Sequence, residues 1–300
     1  MTTRVNLETF INTTLSNVMQ STSNMNKLQE QISTGKKINR PSDDPAGAKK
    51  ILSLRTEDLR LDQYASNIKT ATQSLDFNAS VLQNTSDILQ RITDLTMQGV
   101  SDSTDQNGKK IIANEINQLL ETILQTGNSK RLGRYAFGGT ETTTEPFEAT
   151  RNSSGNVSAV TYKGNRETIE YNIGAGIKAV VNLTGDEVFM RSKLFNTIIK
   201  IRDNLSDGAV TFARNELNNL DAASKDILNG IAKAGGIANT LELSGNRITD
   251  TKLSLQEVLA STESADIAEL VLKLSEQQNI FEASLASGSY IFKTSILNYL

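Results

Sequence analysis

A mainly α fold is predicted: long antiparallel coiled-coil-like helical rods formed by the N- and C-terminal parts, with a small inserted β-rich domain. Three observations predict it. Leu54, Leu61, Ile68, Leu75, Leu82 and Leu89 recur every seven residues, and no proline falls between Pro45 and Pro146. Leu220, Ile227, Ala234, Leu241, Ile248 and Leu255 repeat the pattern further on. Between the two runs glycine becomes frequent and apolar residues alternate with period two. A seven-residue repeat is the seam of a helix that packs on another helix, whereas period two marks a half-buried strand.

The first helix is expected from about Thr9. Ile11, Val18, Met25 and Ile32 are spaced by sevens, with Leu15 and Leu28 beside them, and the flanks are Asn, Ser, Thr and Gln rather than charges. So thin a stripe does not hold a lone helix folded in water, and this helix needs a partner. It breaks across 31–48, where Pro41 and Pro45 lie between Gly35 and Gly47. A proline in a helix interior costs about 3 kcal/mol and removes a backbone donor. Pro45 suits the first position of a new helix, Asp44 its cap, and Ser42 and Asp43 add acceptors and negative charge near the amide end. Gly35, Pro41, Ser42, Asp43, Asp44 and Pro45 are thus the expected hinge and cap.

The helix that follows, supported by Ala65, Ala79 and Ile92, should run for about fifty residues, roughly 75 Å. The polar run 101–108 turns the chain into a third helix, with Ile112, Ile116, Leu119, Leu120 and Ile123 on one face. In the β-rich stretch, Ile169, Tyr171 and Ile173 alternate with Thr168, Glu170 and Asn172. After Gly174-Ala175-Gly176 the alternation resumes with Ile177, Ala179, Val181 and Leu183, which predicts a hairpin. Helical spacing returns at Leu194, Ile198, Ile201 and Leu205. The second rod carries Gly230, Gly235, Gly236 and Gly245, which should weaken it. Ser261-Thr262-Glu263-Ser264 interrupts it. The last segment places Ile267, Val271, Leu274, Phe281, Leu285, Phe292 and Tyr299 at spacings of three, four and seven before Leu300. The expected organisation is 1–40 with 262–300 as a terminal coiled-coil layer, 41–132 with 191–261 as a helical rod domain, and 133–190 as the inserted β-rich domain.

Composition narrows the function. The 300 residues include no Cys, His or Trp. Disulfides, zinc-thiolate sites and thiol nucleophiles are excluded, and the commonest general base is missing. No catalytic residue, cofactor or metal is expected. Net charge is −3 with no basic block, so no nucleic-acid partner is expected. No segment reaches the ~18 consecutive apolar residues of a membrane helix, and no basic-then-apolar start suggests a cleaved signal peptide.

Sharper motifs yield to plainer ones. Gly35-Lys36 follows a helix rather than a strand, and Glu30 stands where a phosphate loop has glycine. Gly174-Ala175-Gly176 leads into a strand, unlike a dinucleotide fingerprint. Ser103 and Asn114 replace the acidic ends of a calcium loop at 103–114. Asp43-Asp44 is read as capping rather than an acid–base pair. Phe281, Phe292 and Tyr299 are read as a coiled-coil face rather than a membrane anchor.

Gln31-Ile32-Ser33-Thr34-Gly35-Lys36 followed by Pro41-Ser42-Asp43-Asp44-Pro45 resembles the N-terminal motif of the bacterial flagellin superfamily. Its wording is nearer the hook-associated branch than filament flagellins, which usually carry an alanine-rich segment there. Gly133-Arg134-Tyr135-Ala136-Phe137-Gly138-Gly139-Thr140 with Pro146-Phe147, Gly185-Asp186-Glu187-Val188-Phe189 and the terminal Leu297-Asn298-Tyr299-Leu300 are similar to later segments of that branch. Residues before Thr9 match poorly, and Ala136 stands where a larger residue is frequent. The resemblance implies a secreted structural subunit exported unfolded by the flagellar type III apparatus, located extracellularly where hook meets filament. It implies self-assembly into a ring that touches the first hook-associated protein on one side and flagellin on the other, and it implies an export chaperone. The terminal seams, Ile11, Leu15, Val18, Met25 and Ile32 with Ile267, Val271, Leu274, Phe281, Leu285, Phe292, Tyr299 and Leu300, are the expected assembly interface. A filament-forming flagellin is the alternative, and a displayed adhesin or hydrolase using Glu167 or Glu170 is a more distant one.

Overall fold

The computed structural model describes residues 2–297, with side chains described for Thr9 and for 11–290. Helices α1 (Thr2–Thr34), α2 (Pro45–Gly99) and α3 (Gln106–Gly127) come first. Short strands follow: β1 (Lys130–Arg131), β2 (Arg134–Tyr135), β3 (Phe147–Arg151), β4 (Val157–Tyr162), β5 (Glu170–Gly174) and β6 (Ile177–Val180). A π-helical turn at Asp186–Met190 leads into α4 (Leu194–Ser206), α5 (Val210–Asn215), α6 (Leu217–Glu263) and α7 (Ile267–Leu297). The fold is mainly α with a β-rich insertion, as the periodicities require. Packing divides the described chain into a terminal unit, up to Arg60 and from Asp250 onward, and a central unit, Leu61–Thr249.

In the central unit the seven-residue repeats form the core. Leu75, Leu82 and Leu89 of α2 and Ile227 and Leu241 of α6 are fully buried, and Leu61, Ile68, Leu220, Ala234 and Ile248 nearly so. The two helices run antiparallel, since Ile68 lies against Gly245 while Leu82 lies against Gly230. Helices α3 and α4 close the core with Ile116, Leu120 and Ile123, and with Leu194, Ile198, Ile201 and Leu205, all fully buried.

The strands form three separate antiparallel pairs, β1 with β2, β3 with β4, and β5 with β6. The last is the predicted hairpin, with Gly176 at φ +73° in its turn. A two-stranded pair is marginal by itself, so each depends on what it packs against. For the β3–β4 pair, Phe147 of β3 supplies that support. Its ring centroid is 5.2 Å from Phe189 in the π-helical turn and 5.3 Å from Phe195 of α4, and Phe137 meets Phe189 edge-on at 5.2 Å. Gly127, at the end of α3, lets the Phe147 ring approach: a Cβ there would stand 3.0 Å from it. The buried Arg202 of α4 donates to Asn117 Oδ1 of α3 at 2.8 Å and to the Val157 carbonyl of β4 at 2.6 Å.

The glycines of α6 differ in what surrounds them. A Cβ on Gly235 or Gly236 would meet open space, whereas one on Gly230 would stand 3.0 Å from Leu82 Cδ1 and 3.4 Å from Val188 Cγ2. Gly236→Ala should therefore stabilise the protein by about 0.5–1 kcal/mol through helix propensity. Gly230→Ala should destabilise it by about 1 kcal/mol or more, because its buried neighbours have no room to yield. Unfolding midpoints followed by circular dichroism separate the two, and equal shifts would contradict the close approach at Gly230.

Candidate functional site

The terminal unit holds the residues singled out as an assembly interface and as a hinge. Helices α1 and α7 run antiparallel: Thr14 lies beside Gly288, Ser21 beside Gln277, and Lys36 pairs with Ser264. Ser21, only 3% exposed, accepts a hydrogen bond from Gln277 Nε2 at 2.7 Å. It stands three residues after Val18, on the inner line of the seam. A polar pair inside an apolar seam lowers stability and fixes register, since sliding the helices would leave both groups unpaired.

The structure sorts the predicted seam residues into two groups. On α1, Ile11, Val18, Met25 and Ile32 are half-buried, while Leu15 is 51% exposed. On α7 the buried and half-buried positions are Leu270, Leu274, Gln277, Phe281, Ser284 and Gly288, stepping by four and three. Ile267, Val271 and Leu285 are exposed at 42%, 50% and 48%. Leu15 and Leu285 line an apolar groove of about 430 Å³ together with Ile11, Val18 and Gly288. The Phe292 side chain, Tyr299 and Leu300 lie outside the described residues.

Where α1 and α6 end, the two breaks lie side by side. Lys37 N donates to the Glu263 carbonyl at 2.7 Å, and Ala265 N donates to the Gly35 carbonyl at 3.0 Å. Gly35 adopts φ +67°, a left-handed backbone that suits glycine and ends α1. The buried Glu263 carboxylate accepts two hydrogen bonds from Arg55 Nη2, at 2.7 and 3.0 Å, and is 2.5 Å from Lys36 Nζ. Burial works to raise the Glu263 pKa, but the hydrogen bonds and charges of Lys36 and Arg55 outweigh it and hold the group below its ordinary value.

The paired aspartates do different work. Asp44 Oδ1 accepts from Ala46 N at 3.1 Å and Gly47 N at 3.0 Å, capping α2, whose first residue is Pro45. Asp43 closes the preceding turn, accepting from the amides of Asn39 and Arg40 at 3.2 and 3.0 Å and pairing with Lys27 at 3.0 Å. The Lys27 hydrogen bond leads the causes that lower its pKa. Pro41 and Ser42 are exposed in the same turn. In the turn at 101–108, read as a plain turn rather than a calcium loop, Asp105 caps α3 by accepting from Gly108 N at 2.9 Å.

Arg55 and Glu263 were not singled out from the sequence, and neither were Ser21 and Gln277, while Lys36 was noted only within a motif and not as an ion-pair partner. Glu263 in a Ser-Thr-Glu-Ser break signals nothing more than a polar interruption. A clue to Ser21 existed: it continues the seven-residue spacing three places after each seam residue. Among the described residues no cluster of acidic side chains suits a metal ion, and no helix is long and apolar enough to cross a membrane.

Residues 5–141 match the family model of the bacterial flagellin N-terminal helical region. Flagellar hook-associated protein 3 of Escherichia coli is 29% identical over 164 residues, 54% of this chain and 49% of that protein. The chain spans about half the length of the curated hook-associated relatives it matches. A flagellar filament core protein of Treponema maltophilum is 23% identical over 258 residues, 86% of this chain and 85% of its own. The solved flagellar junction protein of Legionella pneumophila shares the fold with a TM-score of 0.59 and 17% identity, covering 73% of this chain and 100% of its own.

The Glu263 pKa is depressed in the folded state, so the stability it contributes is present above the unfolded carboxylate pKa and is lost as pH falls through the folded one. Unfolding monitored from pH 7 down into the acid range should show the terminal unit loosening on the acid side. Glu263→Gln should be less stable near neutrality and should flatten that part of the profile. An unchanged profile in the variant would remove Glu263 from the account.

Proposed function

We propose that this chain, whose residues 5–141 match the flagellin N-terminal helical region, is a structural subunit of the bacterial flagellum that joins the hook to the flagellin filament. It self-assembles into a ring, has no catalytic role, and works in the extracellular flagellum after export. Its neighbours are further copies of itself, a first hook-associated protein on the hook side and flagellin on the filament side, and an export chaperone holds it beforehand. The residues up to 40 and from 262 form the assembling layer, 41–132 with 191–261 the rods, and 133–190 the outward insertion.

One observation carries the assembly role. Helix α7 spends one face on α1 and leaves an adjoining apolar strip exposed, made by Ile267, Val271 and Leu285. Helices whose apolar surface extends beyond the packed face bury the remainder against further copies or partners. Contacts of this kind repeat around an axis when the partner surface differs from the donor surface.

The match to a Treponema filament protein favours a second reading, a flagellin that builds the filament itself. Antibody labelling of isolated hook–filament structures decides between them. A narrow band at the hook–filament boundary supports the junction role, and label along the filament supports the second reading.

The packed face and the exposed strip of α7 also respond differently to substitution. Val271→Asp should leave export and the isolated fold unchanged but block ring formation, because Val271 is 50% exposed in the single chain. Phe281→Asp should disturb the α1–α7 pairing itself and increase protease cleavage in both terminal helices. Normal junctions in the Val271→Asp strain would refute the role of the exposed strip.

A further inference from the structure

Beyond assembly, the central unit contains a cavity that the proposed function leaves unused. It measures about 250 Å³ and lies between α2 and the β-rich insertion, lined by Ser74 and Asn78 of α2, Arg131 and Arg134 of the β1/β2 hairpin, and Tyr135 and Tyr171. Three features point to a ligand. Asn78 is 1% exposed, yet its Oδ1 has no hydrogen-bond partner, a costly state for a buried amide. Arg131 and Arg134 stand directly opposite each other in the strand register, where like charges repel. Neither has a carboxylate partner: Arg131 reaches only Gln73 Oε1, at 3.4 Å, and no Asp or Glu lines the cavity. Lys130 adds a third cation to the hairpin, 4.4 Å from the Tyr135 ring centroid.

We propose that this cavity binds an acidic monosaccharide, a sugar-sized polyol bearing one carboxylate. Its carboxylate would relieve the Arg131–Arg134 repulsion with charge-assisted hydrogen bonds, for which guanidinium groups are well shaped. Its hydroxyls, which both donate and accept, satisfy the Asn78 amide and the Ser74 hydroxyl. The tyrosine rings offer apolar faces to the sugar's C–H groups. The volume suits one sugar ring and excludes longer oligosaccharides from full burial.

The test titrates the full chain with glucuronate, glucose, acetate and inorganic phosphate, followed by calorimetry and NMR. Glucuronate should bind at least about tenfold more tightly than glucose or acetate, which each lack one half of the recognition. Arg131→Gln and Arg134→Gln should each weaken glucuronate binding by about tenfold at an unchanged unfolding midpoint. Asn78→Leu should abolish binding while holding or raising the midpoint, because it removes an unpartnered buried amide. Should Asn78→Leu fail to fold, the two arginine variants decide alone. No glucuronate binding by the folded wild type overturns the proposal. Phosphate binding as tight as glucuronate, or unchanged glucuronate affinity in Arg134→Gln, overturns it as well.

Discussion

A helix with a narrow apolar stripe does not stay folded alone in water, and that constraint governs this protein. The long helices answer it by antiparallel pairing, α1 with α7 in the terminal unit and α2 with α6 in the central one. The two pairings differ in quality. Along α2 and α6 the seam is leucine, isoleucine and alanine at near-zero exposure, and further helices and an aromatic cluster cover it. Along α1 and α7 the seam contains Thr14, Ser21, Gln277, Ser284 and Gly288, and its apolar members are mostly only half-buried. The amino-acid choice at the inner positions thus separates a unit with its own core from one whose apolar surface is left partly uncovered.

Most of the architecture was legible because it rests on period. The leucine spacing from Leu54 to Leu89 and its counterpart from Leu220 to Leu255 specify two long helices, and the alternation around Gly174 specifies a hairpin. What period does not carry was invisible. The three strand pairs do not join into one sheet, and β3 is held instead by aromatic packing on residues distant in sequence, Phe147 on Phe189 and Phe195. The predicted C-terminal seam mixed two faces of α7. Selecting apolar residues gathered Leu274 and Phe281 with Ile267, Val271 and Leu285, while the inner line runs through polar Gln277 and Ser284.

At the joint, chemistry near in sequence was readable and chemistry far in sequence was not. Pro45 and Asp44 declare a helix start and its cap within a few residues. The pairing of Glu263 with Arg55 spans 208 positions and has no local signature. Its energetics depend on burial, which no single-residue pattern reports. Asp43 lies between these cases: it was recognised as a helix-start acceptor, yet it closes the turn before the helix and pairs back to Lys27.

The alignment of the two breaks has a kinetic meaning. Ser21 and Gln277 are 256 positions apart, so α1 has no partner within the unit until nearly the whole chain is present. Contacts of such separation form late, after the loop between them has been closed. A chain delivered one end first therefore carries its thin-striped terminal helix unpaired for most of its passage. Only the arrival of the far end completes the pair, and the order of delivery becomes the clock that decides when this unit takes shape.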